Sequence, residues 1–203
     1  MRSLSLVLWV ALILSGCGPE GVSSRIDRND SDSVLVHQAG DWIPAPALHL
    51  NFPQLPFTSR VPKDAFQIDE ADSGAGTGIR LMATFGGVLT PSAFALVYVS
   101  TLPHSEEGSA RATLFGMLEE DGLVRDENTP VPPCLWAEES FYFRSLREDL
   151  EGYACYAQKD NVPFYLYVQY PRTFSDGMNN HLDVLLRHWR WRSDGTPLEH
   201  PPL

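Results

Sequence analysis

The sequence predicts an α+β fold, an antiparallel β-sheet of about six strands packed with two helices. Three observations predict it. Several segments alternate apolar and polar residues with period two, two others repeat at helical spacing, and the order is strands, helix, three strands, helix, as in hairpins interrupted by helices. A composition of 43% hydrophobic and 20% charged residues is that of a folded domain.

The first strand is "ALHLNFP", where Leu48, Leu50 and Phe52 alternate with His49 and Asn51 until Pro53 stops the pattern, placing His49 on the polar face. "GAGTG" at residues 74–78 reads as a hairpin turn. A dinucleotide loop would need a strand before it and a helix after it, whereas a strand pattern follows. That strand, "GIRLMATF", sets Ile79, Leu81, Ala83 and Phe85 against Arg80, Met82 and Thr84. Its neighbour "AFALVYVS" is apolar on both faces, which predicts an interior position. The first helix is "SEEGSARATLFGMLEEDG": Ala110, Leu114, Met117 and Leu118 share a stripe, Ser105 is a candidate N-cap, Glu106 and Glu107 fill the first turn and Gly122 is a stop. Three strands follow in "WAEESFYFRS", "GYACYAQ" and "VPFYLYVQY", the last two joined by the turn formers Asp160 and Asn161. The second helix, "SDGMNNHLDVLLRHWRW", carries Met178, Leu182, Leu185 and Trp189 on one stripe after the N-cap candidate Ser175, and Gly195 ends the patterned region.

The opening "LHLNFP", the helix after "FALVYVS" and the closing "YLYVQYP" followed by "HLDVLLRHWRW" resemble the PsbP family, which includes the extrinsic photosystem II subunit and bacterial DcrB-like lipoproteins. The likeness covers nearly the whole domain and lies in element order and hydrophobic pattern. The Trp that many relatives carry after the Pro ending the first strand has no clear counterpart here. The resemblance implies a PsbP-like α/β/α sandwich serving as a docking or accessory scaffold, without catalysis.

The N-terminus supplies an address. Arg2 precedes an apolar run at residues 4–14 and the small pair Ser15 and Gly16, the pattern of a secretory signal peptide. The run is well short of the roughly 20 residues that span a bilayer. Its end, Leu14-Ser15-Gly16-Cys17, resembles the lipobox of bacterial lipoproteins, which implies cleavage before Cys17 and acylation, with palmitate among the chains, of that residue's thiol and new amino group. At roughly 0.8 kcal/mol per buried CH₂, two or more chains hold a protein stably on a membrane. By resemblance to the sorted lipoproteins of two-membrane bacteria, Gly18, rather than Asp, at the second mature position implies the cell outer membrane over the inner, facing the periplasm. Residues 18–33, "GPEGVSSRIDRNDSDS", read as a flexible tether with a reach of about 20–25 Å. The organisation predicted is a signal at 1–16, the acylated Cys17 and tether to residue 33, and a single α+β domain at 34–203.

The net charge of the whole chain is −11, and removing residues 1–16 takes away one Arg and no acid. So acidic a chain is a poor binder of nucleic acid, which needs basic patches that displace counterions.

Cys134 and Cys155 are an even pair for an oxidising compartment, so a disulfide is possible. If residues 136–145 and 150–158 pair in a hairpin turning near Glu148, Cys155 falls opposite about residue 142. Only a loop folding back from "TPVPPC" then brings the sulfurs together; otherwise both are free, wholly or partly buried thiols.

Reaction chemistry is thinly represented. His181 and His188 are seven residues apart on one helix, about 10.5 Å along its axis, too far to share an ion. His104 with Glu106 and Glu107 is better read as helix capping than as a metal site. No G-x-S-x-G elbow occurs, and Ser175, Asp176 and His181 are too local for a triad. The runs Glu138-Glu139 and Glu119-Glu120-Asp121 read as solvated surface. No catalytic residue, metal or cofactor is implied. Two binding features remain. "RHWRWR" at residues 187–192 concentrates arginine and tryptophan in an acidic chain; it is either an ordinary helix end, with Trp189 continuing the buried stripe and basic residues complementing the dipole, or an interaction patch, with Arg187, Arg190, Trp191 and Arg192 the part expected at the surface. Tyr156, Tyr165 and Tyr167 share one sheet face, either a ligand-binding aromatic face or, if a helix covers it, core.

The function these readings predict is a lipid-anchored envelope protein acting as a non-catalytic binding or accessory module for another envelope protein. The alternative is a small-ligand-binding lipoprotein using the tyrosine face, or an unrecognised hydrolase.

Overall fold

The computed structural model describes residues 33–38, 41–73, 76–100, 110–128, 134–146 and 148–198. Cys17, the signal and the tether up to residue 32 lie outside them, as do His104, Ser105, Glu106 and Glu107. The elements are β1 (Ser33–Gln38), β2 (Asp41–Leu50), β3 (Phe57–Pro62), β4 (Phe66–Ser73), β5 (Gly76–Phe85), β6 (Val88–Ser100), α1 (Ala110–Glu120), β7 (Leu123–Arg125), β8 (Glu139–Ser145), β9 (Leu150–Lys159), β10 (Val162–Pro171), a 3-10 turn (Arg172–Phe174), α2 (Ser175–Arg187) and β11 (Arg190–Trp191).

The α+β class stands, but the single sheet of about six strands does not. The strands form a seven-stranded sheet in the order β4-β5-β6-β10-β9-β8-β7 and a second, four-stranded sheet in the order β1-β2-β3-β11. Every pairing between these neighbours is antiparallel. β1, β3, β4, β7 and β11 are short or carry polar residues at expected apolar positions, so periodicity alone does not reveal them. "AFALVYVS" lies inside the large sheet, with β5 on one side and β10 on the other, in keeping with its apolar run.

Local chemistry closes the hairpins. Asp160 (φ 53°) and Asn161 (φ 65°) both occupy the left-handed region, and Lys159 pairs with Val162 across them. Two positive φ values match the right-handed twist of the flanking strands. Gly86 (φ 58°) and Gly87 (φ 82°) do the same between Phe85 and Val88. α1 stops at Gly122, whose φ of 62° is that of a helix C-terminal cap and whose N–H donates to the Glu119 carbonyl. α2 starts one residue earlier than expected. Ser175 is its first helical residue and Phe174 its cap, because the 3-10 turn feeds the chain directly into the helix.

Two apolar layers hold the large sheet. On one face Ile79, Leu81, Val97, Leu166 and Val168 pack with Met178, Leu182, Leu185 and Leu186 of α2 and with Phe57 and Val61 of β3. On the other, Phe94, Phe143, Tyr165 and Tyr167 pack with Leu114 and Leu118 of α1. The helices therefore lie on opposite faces, and α2 shares its face with the small sheet. Ser59 is tied to α2, its hydroxyl donating to the Leu185 carbonyl.

Cys134 and Cys155 form a disulfide with the Cα atoms 6.2 Å apart. Cys155 sits opposite Ser140, not residue 142, because β8 begins only at Glu139. The Ser140 hydroxyl donates to the Cys134 carbonyl (3.2 Å), as does the Ala137 N–H (3.2 Å), which turns the chain back so that Cys134 reaches β9.

Candidate functional site

The arginine and tryptophan segment is a brace, and Trp191 is not the surface residue expected. It is buried at 5% exposure, edge-on to Phe57, Phe164 and Trp189. Pairing of β11 with β3 turns it inward beside Phe57. The three arginines are exposed and each is engaged. Arg187 pairs with the buried Asp183 (2.7 Å), one helical turn back, and lies over the Trp42 ring at 4.7 Å. Arg190 donates from Nη1 to the carbonyls of Arg187 (3.0 Å) and Trp189 (2.6 Å). Arg192 clamps the chain between β2 and β3, donating to the carbonyls of Leu55 (2.8 Å) and Phe52 (2.9 Å) and to Asn51 Oδ1 (2.7 Å).

The tyrosine face is closed. Tyr156, Tyr165 and Tyr167 are at most 2% exposed and belong to the layer beneath α1. The Tyr165 hydroxyl donates to Met117 Sδ of α1 (3.6 Å), and Tyr167 donates to Gln169 Oε1 (2.8 Å) while stacking on Phe143. Burial pushes the phenols of Tyr165 and Tyr167 well above their ordinary pKa. These three are core, the helix-covered one of the two readings the sequence left open, and α1 fills the face they share.

An open site lies on the other side of the large sheet, where β1, β2, the β3–β4 turn, the β5–β6 hairpin and α2 meet around a groove of about 460 Å³. Val36, Ala45, Pro46, Pro62, Ala65 and Phe85 give it apolar walls, and His37, Lys63, Asp64, Asn180 and His181 give it polar points. The floor is an aromatic stack: Phe85 lies between Phe174 (4.6 Å) and the His181 ring (5.7 Å), and His181 meets Phe66 edge-on. Gly177 makes the stack possible, since a Cβ there would lie 2.8 Å from the Phe85 ring. Burial lowers the His181 pKa, opposed in part by a hydrogen bond with the Thr84 backbone, so the imidazole is neutral at pH 7.

Two hairpin ends flank the groove and bear exposed apolar side chains. Val88 (67%) and Leu89 (37%) follow Gly86 and Gly87, and Trp42 (45%) and Ile43 (38%) lie beside His37, whose ring meets Trp42 at 5.3 Å. Such a partly apolar, partly polar concavity is suited to binding. Sequence reading missed it because its walls come from five separate elements. One signal was present, the Gly-Gly followed by Val-Leu at residues 86–89, a hairpin tip with apolar residues where polar ones are the rule.

His181 lines this groove, whereas His188 lines a different one. Among the described residues no group of three or more His, Cys, Asp or Glu side chains is placed to hold a metal ion, and no helix is long and apolar enough to cross a membrane. Compared with protein-family models, curated proteins and solved structures, the chain matches none.

Proposed function

We propose that this chain is a lipoprotein of the bacterial envelope, anchored through Cys17 and facing the periplasm from the outer membrane, whose domain binds and positions another envelope protein without chemistry of its own. The observation that carries the binding role is the partly apolar groove, together with the exposed Trp42 and Ile43, which pair with its lining residues His37 and Val36, and Val88 and Leu89, which follow its lining residues Gly86 and Gly87. Exposed aromatic and aliphatic side chains around a concavity are the anchors that protein interfaces use. The sequence Leu14-Ser15-Gly16-Cys17 supports the anchor, and the polar tether after it supports a domain held off the lipid surface. Helices on opposite faces of an antiparallel sheet favour the PsbP-like reading of the fold, and the accessory role fits that family. The second, four-stranded sheet is an addition to it.

Photo-crosslinking in cells tests the binding role, with the reactive residue placed at Val88 or Ile43 and, as a control remote from the groove, at Leu146. The expected result is a discrete adduct from Val88 and Ile43 that Leu146 does not give. Monomer alone from all three positions would overturn the proposal.

A further inference from the structure

The large sheet ends on one side in an open strand. β4 is outermost there, eight residues long, and it pairs with β5 without a break from Phe66 opposite Ala83 to Ser73 opposite Gly76. An edge strand in an antiparallel sheet turns the N–H and C=O groups of every second residue outward. Among the described residues, no hydrogen bond outside the pairing with β5 reaches the main chain of residues 66–71. Proteins blunt such an edge by shortening it, by bending it with a bulge, or by setting proline or charge on it. "FQIDEADS" is long and regular, has no proline, and bears charge of one sign only, acidic. The other edges are less receptive. β7 and β11 are three and two residues long, and β1 carries no carboxylate.

We propose that β4 accepts an extended basic segment of another envelope protein as an added strand. Asp69 and Glu70 are adjacent and exposed, and neighbours on a strand point to opposite faces, so each calls for its own cation on the incoming strand. Both are open to one. Arg80, directly opposite Asp69 on β5, lies instead over the Phe94 ring at 3.9 Å and donates to the Pro91 carbonyl (3.5 Å). Glu70 accepts from Gln54 Nε2 (3.2 Å), a neutral donor that leaves its charge unbalanced. One residue before Asp69, Ile68 is half-buried against the core on the α2 side of the sheet. The matching segment therefore has an apolar residue opposite Ile68 and two consecutive basic residues opposite Asp69 and Glu70. A second copy of β4 does not match. Full antiparallel pairing of two copies would set Asp69 against Glu70 twice, and like charges directly opposite are destabilising. Acidity thus leaves the edge open to a basic strand and closed to its own kind. Just before Phe66, residues Lys63, Asp64 and Ala65 line the apolar groove, so an added strand leads toward it. This rests on the binding role proposed above and names the partner's chemistry, but it needs only the edge, not the groove or the anchor.

Fluorescence anisotropy with the full chain tests it. The probe is a labelled peptide of about ten residues, capped at both ends, with Lys-Arg at its centre and Val and Thr alternating outward from Val on each side, so that it fits in either direction. Two further peptides differ only in carrying Glu-Glu at the centre, or N-methyl groups on the backbone amides, which then cannot donate to a sheet edge. Saturable binding of the first peptide is expected, weakened about tenfold by either peptide change and by the double variant Asp69→Asn, Glu70→Gln, and unchanged by Glu120→Gln at the exposed end of α1. The peptide comparisons leave the protein untouched, so they hold whether or not the double variant folds. Failure of the wild type to bind the first peptide would overturn the proposal, as would equal binding of the N-methylated peptide, which is attraction by charge without an added strand, or undiminished binding by the folded double variant. Crosslinking at Val88 and Ile43 reports the groove separately: its failure with the peptide still bound removes the groove and keeps the edge, and the reverse removes the edge and keeps the groove.

Discussion

Gly152 and Gly116 show how much a single position depends on its surroundings. Gly152, on β9, lies where a Cβ would run into the Val168 carbonyl of β10 and come within 2.8 Å of the Phe143 ring. A Cβ on Gly116, in the interior of α1, would meet nothing within 4 Å, and Gly in a helix interior costs about 1 kcal/mol relative to Ala. The same substitution therefore has opposite signs: Gly152→Ala is expected to destabilise by about 2 kcal/mol or more, and Gly116→Ala to stabilise by about 1 kcal/mol, both read from urea unfolding midpoints. Neither sign is legible in the sequence, because the obstacles at Gly152 belong to the two neighbouring strands, β8 and β10. Trp191 teaches the same lesson. Its neighbours in "RHWRWR" suggest exposure, yet register with Phe57, far earlier in the chain, turns it inward. In that segment the arginines, whose charge keeps them at the surface wherever the backbone goes, and Trp189, which continues the buried helical stripe, were placed correctly from sequence.

Among the elements, strongly patterned ones were legible and those defined by tertiary pairing were not. β5, β10 and both helices carry their periodicity in their own residues, β6 carries its interior position in its apolar run, and the Asp160-Asn161 turn carries its conformation in its residue types. β11 is two residues long and exists because β3 is beside it. The disulfide belongs to this scale as well, since it fastens an irregular segment to β9. It closes a separation of 21 residues, so replacing Cys134 and Cys155 together by Ser is expected to cost about 3 kcal/mol on the chain-entropy account, measurable by urea denaturation against the oxidised wild type. The aromatic layers on β9 and β10 make a further prediction. Burial raises the phenol of Tyr170 to about 12 and pushes those of Tyr153, Tyr165 and Tyr167 well above the usual value of 10. The fold favours the neutral phenol, so this stabilisation is complete below pH 10 and is lost as pH rises through and beyond 10, where the unfolded chain gives up protons that the folded chain keeps. Phenolate absorbance from these four is expected to appear together with loss of tertiary structure; ionisation near pH 10 in a still-folded protein would contradict their burial.

For the whole molecule, the large sheet separates two surfaces. One is filled by α1 and serves the core. The other, where α2 and the small sheet pack, carries the apolar groove. The α+β class was legible because it follows from the order of patterned segments. The split into two sheets, and the grooves that depend on it, were not, because they are set by pairings between segments whose own patterns are weak. The anchoring proposed above would make this arrangement intelligible as a binding device, since a domain held at a membrane by a short tether samples only partners there. The most direct test of that account is mass spectrometry of the N-terminal peptide of the protein isolated from membranes. The account predicts a peptide that begins at Cys17, with a diacylglyceryl group on the sulfur and an acyl chain on the amino nitrogen; an unmodified Cys17 in the membrane-isolated protein, or a chain retaining residues 1–16, would contradict it.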